Sequence, residues 1–267
     1  MKLICCGTAA GPFTARRASS GYILQGDTGT LMLECGPGSI RQALTLGIEL
    51  RSIDAVVLSH LHEDHCLDLA HVAFQAMYGR YERLPTVYGP PGTEEVARRL
   101  MHMHRPNAHL PPLNVVEVDD GDEREIAGYT MLSRETPHAA GLTSHSRRFS
   151  GGGRSMVFSG DTRANPELIC QLAAGANLLL HECYSTASLE RYAALRDPES
   201  AARILERLPT THSEVGDVAR MAHSAGVPRL VLTHILPTED EEDLRATASR
   251  FYKGELTIAY DGLTLEV

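Results

Sequence analysis

The stretch Ser59–Leu69, SHLHEDHCLDL, holds four potential metal ligands within six residues: His60, His62, Asp64 and His65. It directly follows the apolar run AVVLS, which predicts a buried strand. Histidine and carboxylate side chains are common ligands of Zn²⁺ and similar divalent ions. A chain that leaves a strand can direct alternate side chains to one ion and later ones to another, so this loop is suited to two metals. The alternative is a solvent-exposed, histidine-rich turn.

Three further ligand-type residues come directly after strand-like runs. His138 follows a strand in RETPHAAG, Asp161 does so in VFSGDTRANP, and His234 does so in RLVLTHILP. Functional side chains in sheet-based folds gather where strands end and loops converge. This recurrence favours a metal centre over the exposed turn.

Composition narrows the classes of protein that fit. The chain has 267 residues and a net charge of −9, without a Lys/Arg-rich block, and it has no Trp. These features disfavour a surface built for nucleic acid. The six cysteines form no CxxC pair, and no apolar run reaches the length of a signal peptide or membrane span. We therefore expect a protein of the reducing cytoplasm.

Short β-rich runs alternate with helical patterns along the whole chain, without a linker or repeat. We therefore expect one domain over residues 1–267, an α/β fold with two sheets packed together and helices outside. The final run, ELTIAYDGLTLEV, is interpreted as a strand. Helices are predicted at Cys66–Tyr78, Thr93–Met103, Asn165–Ala174, Pro198–Leu208, Ser213–Ala225 and Glu239–Arg250.

The order and approximate spacing of these ligand-type residues resemble those of the metallo-β-lactamase-fold hydrolases, across essentially the whole chain. The opening CCGTAAGP and GYIL resemble the ribonuclease Z-like and arylsulfatase-like branch. The resemblance implies a four-layer αββα sandwich with two Zn²⁺ ions, or Mn²⁺ or Fe instead, at one edge of the sheets. It also implies the ligand sets. His60, His62 and His138 would hold one ion, and Asp64, His65 and His234 the other, with Asp161 bridging the two.

Two further segments are similar to ribonuclease Z motifs. LLHECY contains Glu182, and TTHSEVGDVARMAHSAG contains His212. The resemblance implies that His212 faces the reacting group as a general acid and that Glu182 orients it, with Asp64 as a further catalytic residue. The alternatives are that His212 is a residue at a helix N-terminus and that Glu182 is a surface or structural carboxylate.

This sequence departs from the family pattern in two places. Glu34 stands where the family usually has Asp, at a position that supports the metal loops. Only 22 residues separate His138 from Asp161, where bacterial ribonuclease Z enzymes commonly carry a long arm that grips tRNA. The segment SRRFSGGGRSM predicts only a tight hairpin around Gly151–Gly153. Stable tRNA binding is therefore not expected.

The expected activity is cleavage of phosphodiester bonds in a small molecule or short oligonucleotide by attack of a metal-bound hydroxide. The alternatives are a sulfate-ester hydrolase of arylsulfatase type and a lactone or ester hydrolase. A non-enzymatic metal-binding or nucleic-acid-binding relic is disfavoured by the intact ligand set. We expect a homodimer and no membrane partner.

Several other residues have structural interpretations. His102, His104 and His109 are assigned to the surface or a lid, His71 to a structural role on the helix after the metal loop, and Cys66 to helix packing. His145 is expected in a loop near His138, with a contact to substrate as the alternative role. Arg147, Arg148 and Arg154 would be either solvated turn charges or contacts to an anionic substrate.

Overall fold

Two seven-stranded sheets form the centre of the part of the chain that the structure describes, residues 1–102 and 111–267 of a computed structural model. In chain order the strands are β1 (Lys2–Gly7), β2 (Gly21–Gln25), β3 (Thr30–Leu33), β4 (Ala55–Val57), β5 (Thr86–Gly89), β6 (Val115–Glu117), β7 (Glu123–Ile126), β8 (Tyr129–Thr136), β9 (Ser144–Gly151), β10 (Arg154–Phe158), β11 (Leu178–Glu182), β12 (Arg229–Thr233), β13 (Glu255–Ile258) and β14 (Thr264–Glu266). The first sheet has the order β14-β1-β2-β3-β4-β5-β6, and the second β13-β12-β11-β10-β9-β8-β7.

Helices lie outside the two sheets. They are α1 (Ser39–Thr45), α2 (Glu63–Cys66), α3 (Leu69–Gly79), α4 (Thr93–Met101), α5 (Pro166–Ala173), α6 (Thr186–Ala193), α7 (Pro198–Thr211), α8 (Val215–Ser224) and α9 (Glu241–Phe251), with a short 3₁₀ helix at Leu50–Ser52. None of them is long and apolar enough to cross a membrane within the described residues.

The hydrophobic core explains the layering. The facing sides of the two sheets share one cluster, in which Leu24 and Leu31 of the first sheet join Phe149 and Leu180 of the second. Separate clusters fill the space between each sheet and its helices. Each buried Leu or Phe side chain stabilises the fold by roughly 1.5–3 kcal/mol. The predicted α/β fold of two packed sheets with helices outside, the αββα sandwich, is confirmed.

Some predicted elements differ from the observed ones. The run that was predicted as one final strand divides into β13 of the second sheet and β14 of the first, so it crosses between them. The predicted helix at Cys66–Tyr78 corresponds to α3, which begins at Leu69, and the short helix α2 before it ends at Cys66. Helices α1 and α6 and strand β7 were not predicted. The helix predicted from Ser213 is α8, which begins at Val215, and Glu214 is its N-cap, because its carboxylate accepts from the Gly216 N–H.

Strand direction brings the ligand-type residues to one edge. Strands β10, β11 and β12 are mutually parallel. Strand β8 runs the same way, because both β8 and β10 are antiparallel to β9 between them. The carboxyl ends of these strands therefore lie together, where the chain continues into the residues that the sequence singled out.

Candidate metal centre

Three histidines from two loops converge after β4 and β8. His60 Nε2 lies 3.0 Å from His62 Nδ1, and His62 Nδ1 lies 3.3 Å from His138 Nε2. Their ligand atoms lie within 4.8 Å of one another. One ion placed among these three nitrogens would have a three-histidine ligand set, a common one for Zn²⁺.

A second group of ligand-type atoms lies beside the first. Asp64 Oδ2 lies 3.5 Å from both His65 Nε2 and His234 Nε2. Asp161 Oδ2 lies 3.4 Å from His65 Nε2 and 3.2 Å from His234 Nε2. The same Asp161 oxygen is 3.9 Å from His60 Nε2 in the first group. All seven side chains are thus brought together, with Asp161 between the two groups.

The chemistry of this donor set fits divalent metal ions. Among the described residues, His65 Nε2 and His234 Nε2 are buried without a hydrogen bond of normal geometry, although carboxylate oxygens lie 3.2–3.5 Å away. Such orphaned polar atoms are costly in a protein interior. Burial also lowers the pKa of His60, His62 and His138, which favours the neutral imidazole that binds a metal.

Charge at the second group also favours a cation. Burial alone would raise the pKa of Asp64 and Asp161, but the surrounding histidines hold both values well below the usual range. Burial likewise opposes the charged form of His65, yet Asp161 and Asp64 raise its pKa well above the usual value. The two carboxylates therefore require positive charge at this point, which a divalent ion would supply.

Hydrogen bonds behind the rings fix which nitrogen faces the centre. Ser59 Oγ lies 2.9 Å from His60 Nδ1, which leaves Nε2 free to point inward. His138 Nδ1 donates to the main-chain carbonyl of Thr211 at 2.9 Å. Such partners orient the imidazole and select its tautomer. The sequence predicted neither contact: Ser59 was not singled out, and any residue can offer the carbonyl that Thr211 supplies.

Glu34 supports the loop after β4 in spite of its extra methylene. Its Oε1 accepts the Ser59 N–H at 2.8 Å, and its Oε2 lies 3.3 Å from His65 Nδ1. Glu34 is buried and has a φ of 59°, and His234 has a φ of 56°. Left-handed backbone at residues other than glycine is strained, and such strain concentrates at functional sites.

His212 and Glu182 form a pair at the edge of the two groups. His212 lies between α7 and α8, and its Nδ1 is 3.2 Å from Glu182 Oε1. Burial disfavours the imidazolium, but Glu182 and Asp161 outweigh this and raise the pKa of His212 to about 9. The alternative that His212 is an N-terminal helix residue is wrong, because His212 is the C-cap of α7. Glu182 is buried and so is not a surface carboxylate, while its bonds to the Thr162 and Ser213 N–H groups agree with a structural role as well.

The His212 ring is also near the ligand-type histidines. Its centroid is 5.0 Å from that of His138 and 5.4 Å from that of His234, with which it stacks. Its nitrogens also lie within reach of a metal held by Asp161 and His138. The geometry therefore permits two roles, proton donor and ligand, which a measurement of metal content would separate.

The arginine and histidine residues of β9 differ from the expectations. His145 lies in the strand, not in a loop, and burial together with Arg147 lowers its pKa to about 4. Arg147 is fully buried and donates to the Leu58 carbonyl at 2.6 Å, so it is neither a solvated charge nor a substrate contact. Arg148 donates to the Leu172 carbonyl at the end of α5. The hairpin of β9 and β10 is as tight as predicted, and Arg154 is exposed there.

The remaining sequence candidates among the described residues are not members of the two groups. His71 is largely exposed and pairs with Asp68 at 2.9 Å, and His102 is the C-cap of α4. Cys66 is buried in the cluster between the first sheet and its helices, as predicted. His104 and His109 lie outside the described residues.

Comparison with known proteins agrees with this geometry. A family model described as a β-lactamase superfamily domain matches residues 30–235. The ribonuclease Z of Mycobacterium bovis (strain BCG / Pasteur 1173P2) is 28% identical over 269 residues, covering 94% of this chain and 92% of that protein.

Two solved structures share the fold. The metallo-β-lactamase fold protein YhfI from Bacillus subtilis has a TM-score of 0.81 at 23% identity, covering 100% of this chain and 99% of its own. Human tRNase Z, short form, has a TM-score of 0.73 at 20% identity, with coverage of 100% and 99%. The fold implies divalent metal binding, in agreement with the clusters described above. The chain therefore belongs to the metallo-β-lactamase superfamily and is a hydrolase that resembles ribonuclease Z.

Proposed function

We propose that this chain is a dinuclear, zinc-dependent phosphodiesterase that acts on a small molecule or a short oligonucleotide. His60, His62 and His138 would hold one ion, Asp64, His65 and His234 the other, and Asp161 would contact both. When bound, such ions lower the pKa of a coordinated water and neutralise charge on the reacting group. Mn²⁺ or Fe would also suit these nitrogen and oxygen donors.

The pair of His212 and Glu182 is the observation that favours a phosphodiester. A phosphodiester with an alkoxide leaving group needs a proton donor, whereas opening a lactone depends on one much less. Glu182 holds one ring nitrogen of His212 and stabilises the imidazolium. The other nitrogen would deliver the proton to the leaving oxygen. Asp64 Oδ2 also accepts the Gly11 N–H at 3.0 Å. Asp64 would therefore hold the loop between β1 and β2 close to the reacting group.

Substrate size follows from the short hairpin and from charge. The 22 residues between His138 and Asp161 contain β9 and β10, joined through Gly152 and Gly153. This segment therefore has no room for a long arm. The net charge of −9 also opposes broad contact with a polyanion. The relative named ribonuclease Z supports the bond type, an RNA phosphodiester, while the short hairpin supports a smaller substrate.

A substrate panel with the Zn²⁺-loaded protein tests the proposal. It contains bis(p-nitrophenyl) phosphate, p-nitrophenyl sulfate and a lactone. We expect the highest kcat/KM on the phosphodiester, with Asp161→Ala as the inactive control. A sulfate ester or lactone hydrolysed faster than bis(p-nitrophenyl) phosphate would contradict the proposal and favour the corresponding alternative.

A further inference from the structure

An open groove of about 580 Å³ runs along helices α6 and α7 and ends at His212. Three arginines line it: Arg196, Arg203 and Arg207. A smaller pocket of about 140 Å³, lined by Tyr184 and Leu236, reaches from the same end to His234. Tyr192, Leu208 and His212 line both spaces, so the groove and the pocket are continuous with the candidate metal centre.

The groove concentrates positive charge on an acidic protein. Arg203 and Arg207 are four residues apart on α7 and therefore share one face of the helix. Within the described residues, no carboxylate lies within 4.0 Å of the Arg207 guanidinium. Arg203 has an exposed partner in Glu199 at 3.6 Å, an arrangement that contributes little energy. Both guanidinium groups are thus available to a ligand.

Helix α7 packs only loosely against the rest of the protein. None of its fourteen residues is buried. Ile204 and Leu208, which are partly buried, attach it to a small apolar cluster with Leu189 and Tyr184. The opposite wall of the groove carries Arg196, whose guanidinium lies 4.8 Å from the Tyr192 ring centroid and donates to the Tyr192 hydroxyl at 3.0 Å. Helix α7 therefore presents Arg203 and Arg207 along the groove without a buried contact that requires them.

We propose that this groove binds a second, non-reacting phosphate of the substrate. The inference rests on the proposed phosphodiesterase function and narrows it to phosphorylated short oligonucleotides and nucleotide diesters that carry an additional phosphate. Guanidinium groups bind phosphate oxygens through strong, often bidentate, charge-assisted hydrogen bonds. The small pocket, with its apolar and aromatic walls, accepts the nucleoside between the reacting and the non-reacting phosphate.

Matched dinucleotides test the groove. The substrates are TpT and its 5′- and 3′-phosphorylated forms, pTpT and TpTp. The variant Arg203→Gln/Arg207→Gln is compared with Arg51→Gln/Arg124→Gln, which removes two exposed arginines elsewhere. We expect wild type and control to prefer at least one phosphorylated form. The groove variant should lose about 10- to 100-fold of that preference in kcat/KM, with bis(p-nitrophenyl) phosphate hydrolysed as in wild type. An unchanged preference, or no preference in wild type, would overturn the inference.

A binding measurement separates this inference from the proposed function. Thymidine 3′,5′-bisphosphate and thymidine 5′-monophosphate are titrated into the Zn²⁺-loaded protein. The groove variant should bind the bisphosphate about 10- to 100-fold more weakly than the control does, with a much smaller change for the monophosphate. That result would support the groove even if no phosphodiester were cleaved. Equal bisphosphate affinity of the two variants would overturn it whatever the activity.

Discussion

The Nδ1 atom of His212 lies 3.2 Å from Oε1 of Glu182, and the same carboxylate oxygen accepts main-chain N–H groups from Thr162 at 3.1 Å and Ser213 at 3.2 Å. Three donors on one buried oxygen hold the carboxylate in place. The imidazole is therefore oriented by a rigid partner, and its other nitrogen remains for the substrate.

His212→Ala should impair the reaction according to the leaving group. We expect a loss of about 10²- to 10⁴-fold on a nucleoside phosphodiester, because its alkoxide leaving group needs a proton. On bis(p-nitrophenyl) phosphate the loss should be much smaller, because nitrophenolate departs without one. Steady-state kinetics on both substrates, with metal content from elemental analysis, measure this difference.

The contrary results for His212 are distinct from each other. Equal losses on both substrates with the metal retained would mean that His212 stabilises phosphoryl charge or positions the substrate. Loss of metal would make it a ligand. Glu182→Gln should show the same leaving-group dependence more mildly, since it only weakens the orientation of the imidazole.

Asp161→Ala should reduce metal binding at both groups. Wild type should hold about two Zn²⁺-like ions per chain, because two sets of donors are present. The variant should hold fewer and lose activity, since Asp161 Oδ2 is near ligand atoms of both sets. Elemental analysis after purification without added metal provides the number, with circular dichroism as the control for folding. Less than one transition metal in wild type, and no activity on adding Zn²⁺ or Mn²⁺, would rule out the dinuclear proposal.

Glu34→Gln should weaken metal binding without removing a proposed ligand. The carboxylate lies 3.3 Å from His65 Nδ1 and orients the ring. Loss of such a partner typically lowers metal affinity by about 10- to 100-fold. Competition with a chromogenic chelator measures the affinity, and Glu49→Gln, an exposed change, is the matched control. Wild-type affinity in Glu34→Gln would show that this carboxylate does not tune the site.

Precursor tRNA should bind weakly and be cleaved poorly. The hairpin of β9 and β10 has no arm for a folded RNA, and the chain is acidic overall. A protein that neutralised several phosphates would show a steep fall of affinity with salt. Filter binding between low and physiological salt tests this expectation, and tight, strongly salt-dependent binding would contradict it.

His145 should make the metal-free protein sensitive to acid. The pKa of His145 is about 4 in the folded protein and 6.5 in the unfolded chain. As the pH falls, this side chain is therefore protonated in the unfolded chain before it is protonated in the folded protein. Stability from this group is complete above about pH 6.5 and declines toward pH 4. Between pH 7.5 and 5, wild type should lose about 2 kcal/mol more than His145→Gln. Urea unfolding at both pH values measures this, and equal losses would contradict the assignment.

The sequence alone determined the features that depend on local pattern. Each ligand-type segment follows a strand-like run. Functional side chains gather where strands end and loops converge, so these segments are expected to meet. That was enough to predict the two packed sheets, the outer helices and which seven side chains would come together. The short spacing between His138 and Asp161 likewise determined the tight hairpin.

Tertiary structure alone decided the contacts that join distant segments. The carbonyl of Thr211 meets His138 across 73 positions of the chain, and any residue type could supply it. The polar side chains of Arg147 and His145 suggest a surface position in the sequence. In the structure both are buried, because β9 is paired with β8 on one side and β10 on the other and because the two side chains contact each other. Arg196, between α6 and α7, and Arg203 and Arg207 of α7 line one groove only because these helices pack beside His212. Long-range packing decides such contacts, and it leaves no periodic signal in the residues that make them.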